Sequence, residues 1–443
     1  MKVAIISLGC PRNLVDSEVI LGELKKEGFS VCDIDDTPDI CVINTCSFIQ
    51  SSREESVDAI IEAAALKKEK RIGHLVVCGC LPQMYKDKLL KEVPEIDIIL
   101  GTSDFSKIKD YVNSRSFAKR RAVIGAKTDY LYDEHSPREL LTPSHYAYVK
   151  ISEGCDNFCS YCNIPRLRGA HRSRDINSVV KEVERLLRPG RIKEIDIIGQ
   201  DTTMFGRDTC QEGSLGELLR KVAGVKGSPR WIRLLYTHPA HYTEDFIAAV
   251  RDEEKVCKYL DIPIQHISDT VLKKMNRHTT KKGIIGLIDR LRNDIPLLAI
   301  RTSLITGFPG ETDKDFKELF DFVREIRFER LGVFAYSKEN GTPAAKLKGQ
   351  LPEKVKRDRV DVLMRAQAGI SLDINRSFIG RTVDVLIDEK QKGDEGVSIG
   401  RTAHDAPEID NAVQVTGKDV RVGDFCRVKI TAATEYDLIG EAL

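Results

Sequence analysis

Cys155, Cys159 and Cys162 lie in the stretch GCDNFCSYC, at intervals of four and three residues. Thiolates this close can wrap a metal centre from a single loop, and the chemistry depends on what is left over. A cubane 4Fe–4S cluster that only carries electrons usually has a cysteine on each of its four irons. Three cysteines leave one iron open to a small molecule. Zinc competes as the metal, but a three-cysteine zinc site takes a histidine as its fourth ligand. The nearest, His171, lies nine residues beyond Cys162, behind a proline and two arginines. A loop of free thiols is the remaining alternative.

A second trio is spread along the chain. Cys10 ends the run KVAIISLGC, Cys46 ends DICVINTC and Cys80 ends HLVVCGC, at separations of 36 and 34 residues. In a parallel sheet all strand carboxyl ends lie on one edge, where open α/β folds bind ligands. Three distant thiols would converge there. The competing reading is cysteine as a small buried hydrophobe, which suits Cys32, Cys41 and Cys78, placed within strands. Cys78 shares a strand face with Cys80. Cys80 is preferred because Gly79 lets the backbone turn and carry the thiolate to the edge.

The elements that must position these residues come in three groups. From residue 2 to about 110, short apolar strands alternate with helices, including a long helix over 53–70 and another in LPQMYKDKLLKEV. That pattern implies crossover units and an open parallel sheet, giving an N-terminal domain at 1–116. Residues 117–143, polar with two prolines, are expected to be a linker. A second alternating region, 144–372, carries strands in YAYVKISEG, EIDIIGQD, WIRLLYTHP, YLDIPIQHI, LAIRTSLITGF and RLGVFAYS. Six units are too few for a closed eight-stranded barrel, so an α/β fold with a partial (β/α)6 barrel is expected. The Cys155 loop follows its first strand at the carboxyl end, where barrels place their chemistry. Residues 376–443, with RTVDVLID, GVSIGRT, NAVQV and FCRVKITAAT, read as a small all-β barrel.

Composition narrows the function classes. A chain of 443 residues suits about three domains at roughly 150 residues each. With 69 basic and 68 acidic residues, the whole chain exerts no general attraction on nucleic acid or membrane. No apolar run approaches the roughly 18 residues needed to span a bilayer. The N-terminal MKVAIISLGC is too short for a secretory core and has one preceding charge. A cytoplasmic protein is therefore expected, in which twelve cysteines serve as thiols or metal ligands rather than disulfides.

CxxxCxxC at the first strand end of a partial barrel resembles the radical S-adenosylmethionine (SAM) enzymes. The resemblance implies that the open iron holds SAM by its amino and carboxylate groups. One electron then cleaves it to methionine and a 5′-deoxyadenosyl radical. Tyr161 matches a family position beside the cofactor, core filling being the alternative. An N-terminal three-cysteine domain, a radical SAM core and a small C-terminal β module together resemble the methylthiotransferases, over essentially the whole chain. That implies a second 4Fe–4S cluster on Cys10, Cys46 and Cys80, whose open iron binds or supplies sulfur, and a TRAM-like C-terminal module.

Other motifs are weaker. ITGFPGET, residues 305–312, lacks the GKS or GKT ending of a phosphate-binding loop. By the family resemblance Gly307 and Gly310 lie near SAM, an ordinary tight turn being the alternative. IPRLRGAHRSR carries Arg166, Arg168, Arg172 and Arg174, which suit an acidic substrate, the cofactor carboxylate or simple solvation. Histidines 238, 241, 266 and 278 show no ligand spacing and are assigned no chemistry.

The family divides by its acceptor, either adenosine in transfer RNA or the β-carbon of an aspartate in small-subunit ribosomal protein number twelve. SLGCPRNLVDSE, HRSR, LDIPIQHISDTVLKKMNR, YSKENGTPAA and HDAPEID resemble the protein-modifying branch, whereas the first motif of the RNA branch usually reads GCQ. YTHPAHYT departs, its histidine-proline being similar to the RNA branch. Residues 376–443 hold thirteen acidic against nine basic residues, while RNA-binding modules carry a basic face. The expected partners are a basic ribosomal protein as substrate and an electron donor such as flavodoxin or ferredoxin, with no membrane and RNA binding disfavoured. An alternative from another class is a non-catalytic iron–sulfur carrier, which would require four protein ligands per cluster.

Overall fold

Runs of valine and isoleucine too uniformly apolar to alternate build the first sheet of the computed structural model. It describes the chain except residues 114–116, 118, 119, 126–128, 210–212, 228, 394 and 395. The strands are β1 (Lys2–Ser7), β2 (Ser30–Val31), β3 (Ile40–Thr45), β4 (His74–Gly79), β5 (Ile98–Leu100) and β6 (Arg121–Val123). All pair in parallel, in the order β2-β1-β3-β4-β5-β6. β3 is buried along its whole length, as a sheet covered on both faces demands. Ser7 pairs with Asn44 and Asn44 with Cys78, so the carboxyl ends of β1, β3 and β4 are level.

α1 (Pro11–Lys26) opens directly after Cys10 with proline at its first position, where the missing N–H costs nothing. The helix expected over 53–70 is α2 (Gln50–Lys68). The helix expected after β4 is two, α3 (Cys80–Tyr85) and α4 (Asp87–Glu92), broken at Lys86 with φ 49. Cys80 therefore begins a helix rather than ending a strand. Gly79 makes that turn with φ 96, and a Cβ there would lie 2.4 Å from Asn44 Oδ1 and 2.7 Å from the Thr45 carbonyl.

The stretch expected as a linker is held in place. β6 extends the first sheet, and Tyr132 is buried. Arg138 pairs with Glu18 of α1 and with Glu182 of the next domain. The domain boundary placed at residue 116 lies outside the described residues.

The second domain contains β7 (Tyr146–Lys150), a two-residue hairpin of β8 (Ser152–Glu153) and β9 (Arg172–Ser173), then β10 (Glu194–Ile198), β11 (Trp231–Leu234), β12 (Val256–Asp261), β13 (Ala299–Thr306) and β14 (Arg330–Ala335). The main sheet is parallel, ordered β14-β13-β12-β11-β10-β7, an open six-stranded barrel. Alternate residues such as Ile195, Ile197, Ile232, Leu234 and Ile300 face the apolar core shared with the surrounding helices. Their neighbours are charged: Lys150, Glu194, Asp196, Arg233 and Asp261 are all buried. Buried charges need partners, and these barrel residues draw several of theirs from the flanking domains. Lys150 Nζ lies 2.5 Å from Asp16 of α1 and 2.7 Å from Glu153.

The helix Glu353–Arg376 leads to a closed barrel of β15 (Thr382–Lys390), β16 (Val397–Arg401), β17 (Val413–Thr416), β18 (Phe425–Ala433) and β19 (Leu438–Ala442), ordered β15-β16-β17-β19-β18. The segment 401–410, which holds HDAPEID, meets the charged face of the larger barrel. Arg401 Nη1 donates to Glu194 at 2.6 Å, and Arg330 Nε to Asp405 at 2.8 Å. Tyr146 donates to Glu408 at 2.9 Å, and Arg233 to the Ala403 carbonyl at 2.8 Å. Asp410 accepts from Arg301, and Asp388 pairs with His145 and Arg401.

This corrects the charge argument for a protein substrate. Asp388, Asp405, Glu408 and Asp410 are taken up by partners in the barrel and its entry strand. With those four and Arg401 set aside, nine acidic residues stand against eight basic ones in 376–443. The acidic excess fastens the module to the barrel and does not measure the field it offers a substrate.

Candidate functional site

The three N-terminal thiols come together at the level edge. A Cβ on Gly9, at φ 93, would sit 2.9 Å from Cys46 Sγ. Burial raises the Cys46 thiol, and the neighbouring Cys10 adds to it. Burial pushes Cys80 up to about 12, opposed by Arg168 and reinforced by Cys46 and Cys10. Cys10 behaves oppositely: burial works against its charge, but Arg12 and then Arg168 bring it below the usual thiol value. Arg12 Nε donates to Cys10 Sγ at 3.4 Å, and Arg168 Nη2 to Cys80 Sγ at 3.8 Å. Cys78 packs in an apolar core with Val76 and Leu100, and Cys80 is the one trio member acting on it. Cys41 is buried in another core, and Cys32 is partly exposed just beyond β2.

The second trio lies in the loop after β8. Asn157 Nδ2 donates to Cys155 Sγ at 3.4 Å, the Ile164 amide to Cys162 Sγ at 3.4 Å, and Arg277 Nη1 to Cys159 Sγ at 3.6 Å. Burial raises Cys155 to about 11 and Cys162 to about 12, and the Cys159 charge adds to both. Donors aimed at sulfur stabilise thiolates, while crowded thiols keep their protons until a cation displaces them. Both trios therefore fit metal-held cysteines. His171, weighed as a zinc ligand, instead meets Ser173 Oγ at 3.1 Å and Asp208 at 3.6 Å.

Tyr161 packs in a small cluster with Met275, Phe308 and Tyr336. Gly307 and Gly310 flank Phe308 and Pro309 with φ 72 and 75. A Cβ on Gly307 would strike the Lys356 side chain, and the Gly310 amide donates to the Gly349 carbonyl at 2.8 Å. Of the four arginines in IPRLRGAHRSR, Arg168 and Arg174 are buried ions, the latter bound to Glu182, while Arg166 is exposed. Arg172 donates to the Ala170 carbonyl at 2.7 Å.

Several residues of the site escape sequence reading. Arg12 Nη1 donates to the Gly199 carbonyl at 2.9 Å, and its guanidinium lies 4.3 Å from the Tyr236 ring centre. Asn157 donates to Asp201 at 2.7 Å. His238 and His241, which show no ligand spacing in the sequence, join Asp201, and the three bring one ligand atom each within 4.8 Å of one another. Asp201 follows a barrel strand, and that position was the one usable signal.

Residues 2–101 match the Uncharacterized protein family UPF0004, residues 149–323 the Radical SAM superfamily and residues 379–443 the TRAM domain. Fold and cysteine loop together define a radical SAM protein, a class whose cofactors are SAM and a 4Fe–4S cluster. The chain is 47% identical over 440 residues to ribosomal protein uS12 methylthiotransferase RimO of Geotalea uraniireducens, covering 99% of this chain and 98% of that protein. The same-named proteins of Geobacter sulfurreducens and Desulforamulus reducens are each 46% identical, covering 100% and 99% of this chain and 98% and 99% of theirs. The chain belongs to the RimO family of radical SAM methylthiotransferases.

Among solved structures, the radical SAM methyltransferase TsrM of Kitasatospora setae aligns with a TM-score of 0.56 at 15% identity, covering 77% of this chain and 76% of TsrM. The cobalamin-dependent radical enzyme OxsB aligns at 0.52 and 12% identity, over 82% of this chain and 56% of its own. At such identities the likeness is one of fold. No helix among the described residues is long and apolar enough to cross a membrane.

Proposed function

We propose that this chain is a ribosomal protein uS12 methylthiotransferase that adds a methylthio group to the β-carbon of an aspartate of that protein. In this reading Cys155, Cys159 and Cys162 hold one 4Fe–4S cluster, and Cys10, Cys46 and Cys80 hold a second. Tyr161, Gly307 and Gly310 sit against SAM, and electrons come from a reduced protein such as flavodoxin or ferredoxin. When bound, these groups supply removal of hydrogen from an unactivated carbon, a sulfur source and a methyl donor.

One observation carries the reading: two arginines tie the N-terminal trio to the barrel strand ends from which the loop of the second trio departs. Arg168 reaches Cys80 Sγ, lies 2.6 Å from Asp16, and lies 3.2 Å from Glu153, two residues before Cys155. Arg12 links Cys10 to the carbonyl of Gly199 beyond β10. Sulfur transfer between two sites needs them fixed relative to one another, and these contacts support that.

The chain's own work is positional. Arg12, Arg168 and Arg277 set positive charge beside thiolate sulfur, and Asn157 orients Cys155 against Asp201. The strand ends bury these groups, strengthening each charge–charge contact by excluding water.

The test supplies reconstituted protein, SAM and reductant with uS12 and with transfer RNA in parallel. A gain of one sulfur plus one methylene on an aspartate of uS12 is expected. The same gain on adenosine alone would overturn the substrate, and absence of 5′-deoxyadenosine would favour a plain electron carrier.

A further inference from the structure

Beside the Cys155 loop, the buried side chain of His238 carries a donor with no acceptor among the described residues. Asp201 Oδ1 accepts from the Thr203 amide at 3.0 Å and from its hydroxyl at 2.5 Å. Its Oδ2 accepts from Asn157 at 2.7 Å and meets His241 Nδ1 at 2.8 Å. Asn157 also reaches Cys155 Sγ, so this carboxylate is one side chain away from a cluster cysteine. His238 stacks on His241, ring centres 4.7 Å apart with planes 25° apart, and its amide is held by Thr203 Oγ1 at 3.1 Å.

The tautomer of His238 follows from its surroundings. Nδ1 accepts the Ala240 amide at 3.2 Å and so carries no proton. Burial, aided by the positive charge of Arg277, keeps the ring neutral. The one remaining ring proton is therefore on Nε2. His238 is only 2% exposed, and among the described residues Nε2 has no hydrogen-bond partner. Buried donors are almost always paired in native proteins.

A metal on Asp201, His238 and His241 is the competing explanation. Both carboxylate oxygens and His238 Nδ1 already accept hydrogen bonds and His241 Nδ1 is engaged with Asp201, which leaves the two Nε2 atoms, that of His238 being a donor in this tautomer. Donors seek oxygen.

We propose that His238 is a ligand-contact residue whose Nε2–H donates to a carboxylate or hydroxyl oxygen of a molecule seated against the Cys155–Cys162 loop. The proposal rests on the functional reading above, in which two molecules offer such oxygens: SAM and the target aspartate side chain.

The test compares full-length reconstituted wild type, His238→Phe and His238→Gln. Phenylalanine keeps the ring and removes the donor; glutamine restores an N–H near the Nε2 position. Iron content and circular dichroism check that each variant folds and loads. If the phenylalanine variant does not fold, His238→Asn, which reproduces only the Nδ1 side, replaces it. If SAM is the partner, its dissociation constant, read from its perturbation of the reduced cluster's EPR signal, weakens roughly tenfold or more in the phenylalanine variant. Glutamine recovers it. If the target side chain is the partner, SAM binding and uncoupled SAM cleavage stay unchanged while KM for uS12 rises by a similar factor, again recovered by glutamine. Unchanged values in both arms, or equal losses with phenylalanine and glutamine, would overturn the proposal. Wild type that forms no 5′-deoxyadenosine would instead sink the functional reading, and the SAM-binding arm would still decide the role of His238.

Discussion

Arg168 Nη2 meets Cys80 Sγ at 3.8 Å, although 88 residues and a domain boundary separate the two in the chain. The same guanidinium lies 2.6 Å from Asp16 and 3.2 Å from Glu153, with all four side chains buried. The N-terminal thiol site is thus completed by an arginine of the barrel.

Arg168→Met should leave Asp16 and Glu153 with Lys150 as their one remaining buried cation. Breaking such a network typically costs about 3–5 kcal/mol. Urea unfolding should show a loss of that size, and iron content should fall with it. Arg168→Lys keeps the charge but loses the fork, so recovery should be partial. An unchanged unfolding midpoint in Arg168→Met would refute this role.

The two trios should separate by mutation. Replacing Cys155, Cys159 and Cys162 with alanine should halve the iron and abolish SAM cleavage. Replacing Cys10, Cys46 and Cys80 should also halve the iron, yet leave 5′-deoxyadenosine formation in place and stop sulfur transfer. Cys78→Ala, outside both trios, should keep full iron and both activities. Iron assay with product analysis checks all three.

Acid should destabilise the protein through buried neutral histidines. Burial depresses His238 to about 2 and His266 to about 3, whereas the unfolded chain protonates histidine near 6.5. Below that value the unfolded state binds more protons. Stability present above pH 6.5 is therefore lost as pH falls, by about 1.4 kcal/mol per unit for each ring. Chemical denaturation of the apo-protein between pH 7 and 5 should show this slope, and His266→Gln should reduce it by one ring's share.

Asp405→Ala should destabilise by about 3–5 kcal/mol, because it strands a buried guanidinium. Arg330 is 8% exposed and donates twice to Asp405. Removal of residues 376–443 should accordingly cost stability as well as substrate binding, by uncovering Arg233, Glu194 and Arg330. Differential scanning calorimetry of the point variant and the truncation distinguishes this from a separately folded, loosely tethered module, which would leave the remainder's Tm unchanged.

Strand positions, the six-unit barrel and the convergence of Cys10, Cys46 and Cys80 were legible because each depends on local pattern plus one topological rule. The turn at Gly79 was legible too, and it carries the Cys80 thiol toward Cys10 and Cys46 while Cys78 stays in the apolar core. What stayed hidden depends on partners far along the chain. Arg12 reads as an ordinary first-turn arginine until Gly199 and Tyr236 are folded against it. His238 and His241 acquire meaning only beside Asp201, which another strand brings there. The acidic residues of HDAPEID misled for the same reason: net charge counts residues without knowing which of them face inward.

The last of these has a consequence for synthesis. The charged wall of the large barrel is complete once residue 335 is made, but its cover, residues 401–410, arrives 75 residues later. At about 5–20 residues per second the wall stands open for roughly 4–15 s. An apolar wall left open that long would invite aggregation. A wall of arginines, carboxylates and tyrosine hydroxyls can be hydrated while it waits, then exchange water for protein when the C-terminal segment emerges.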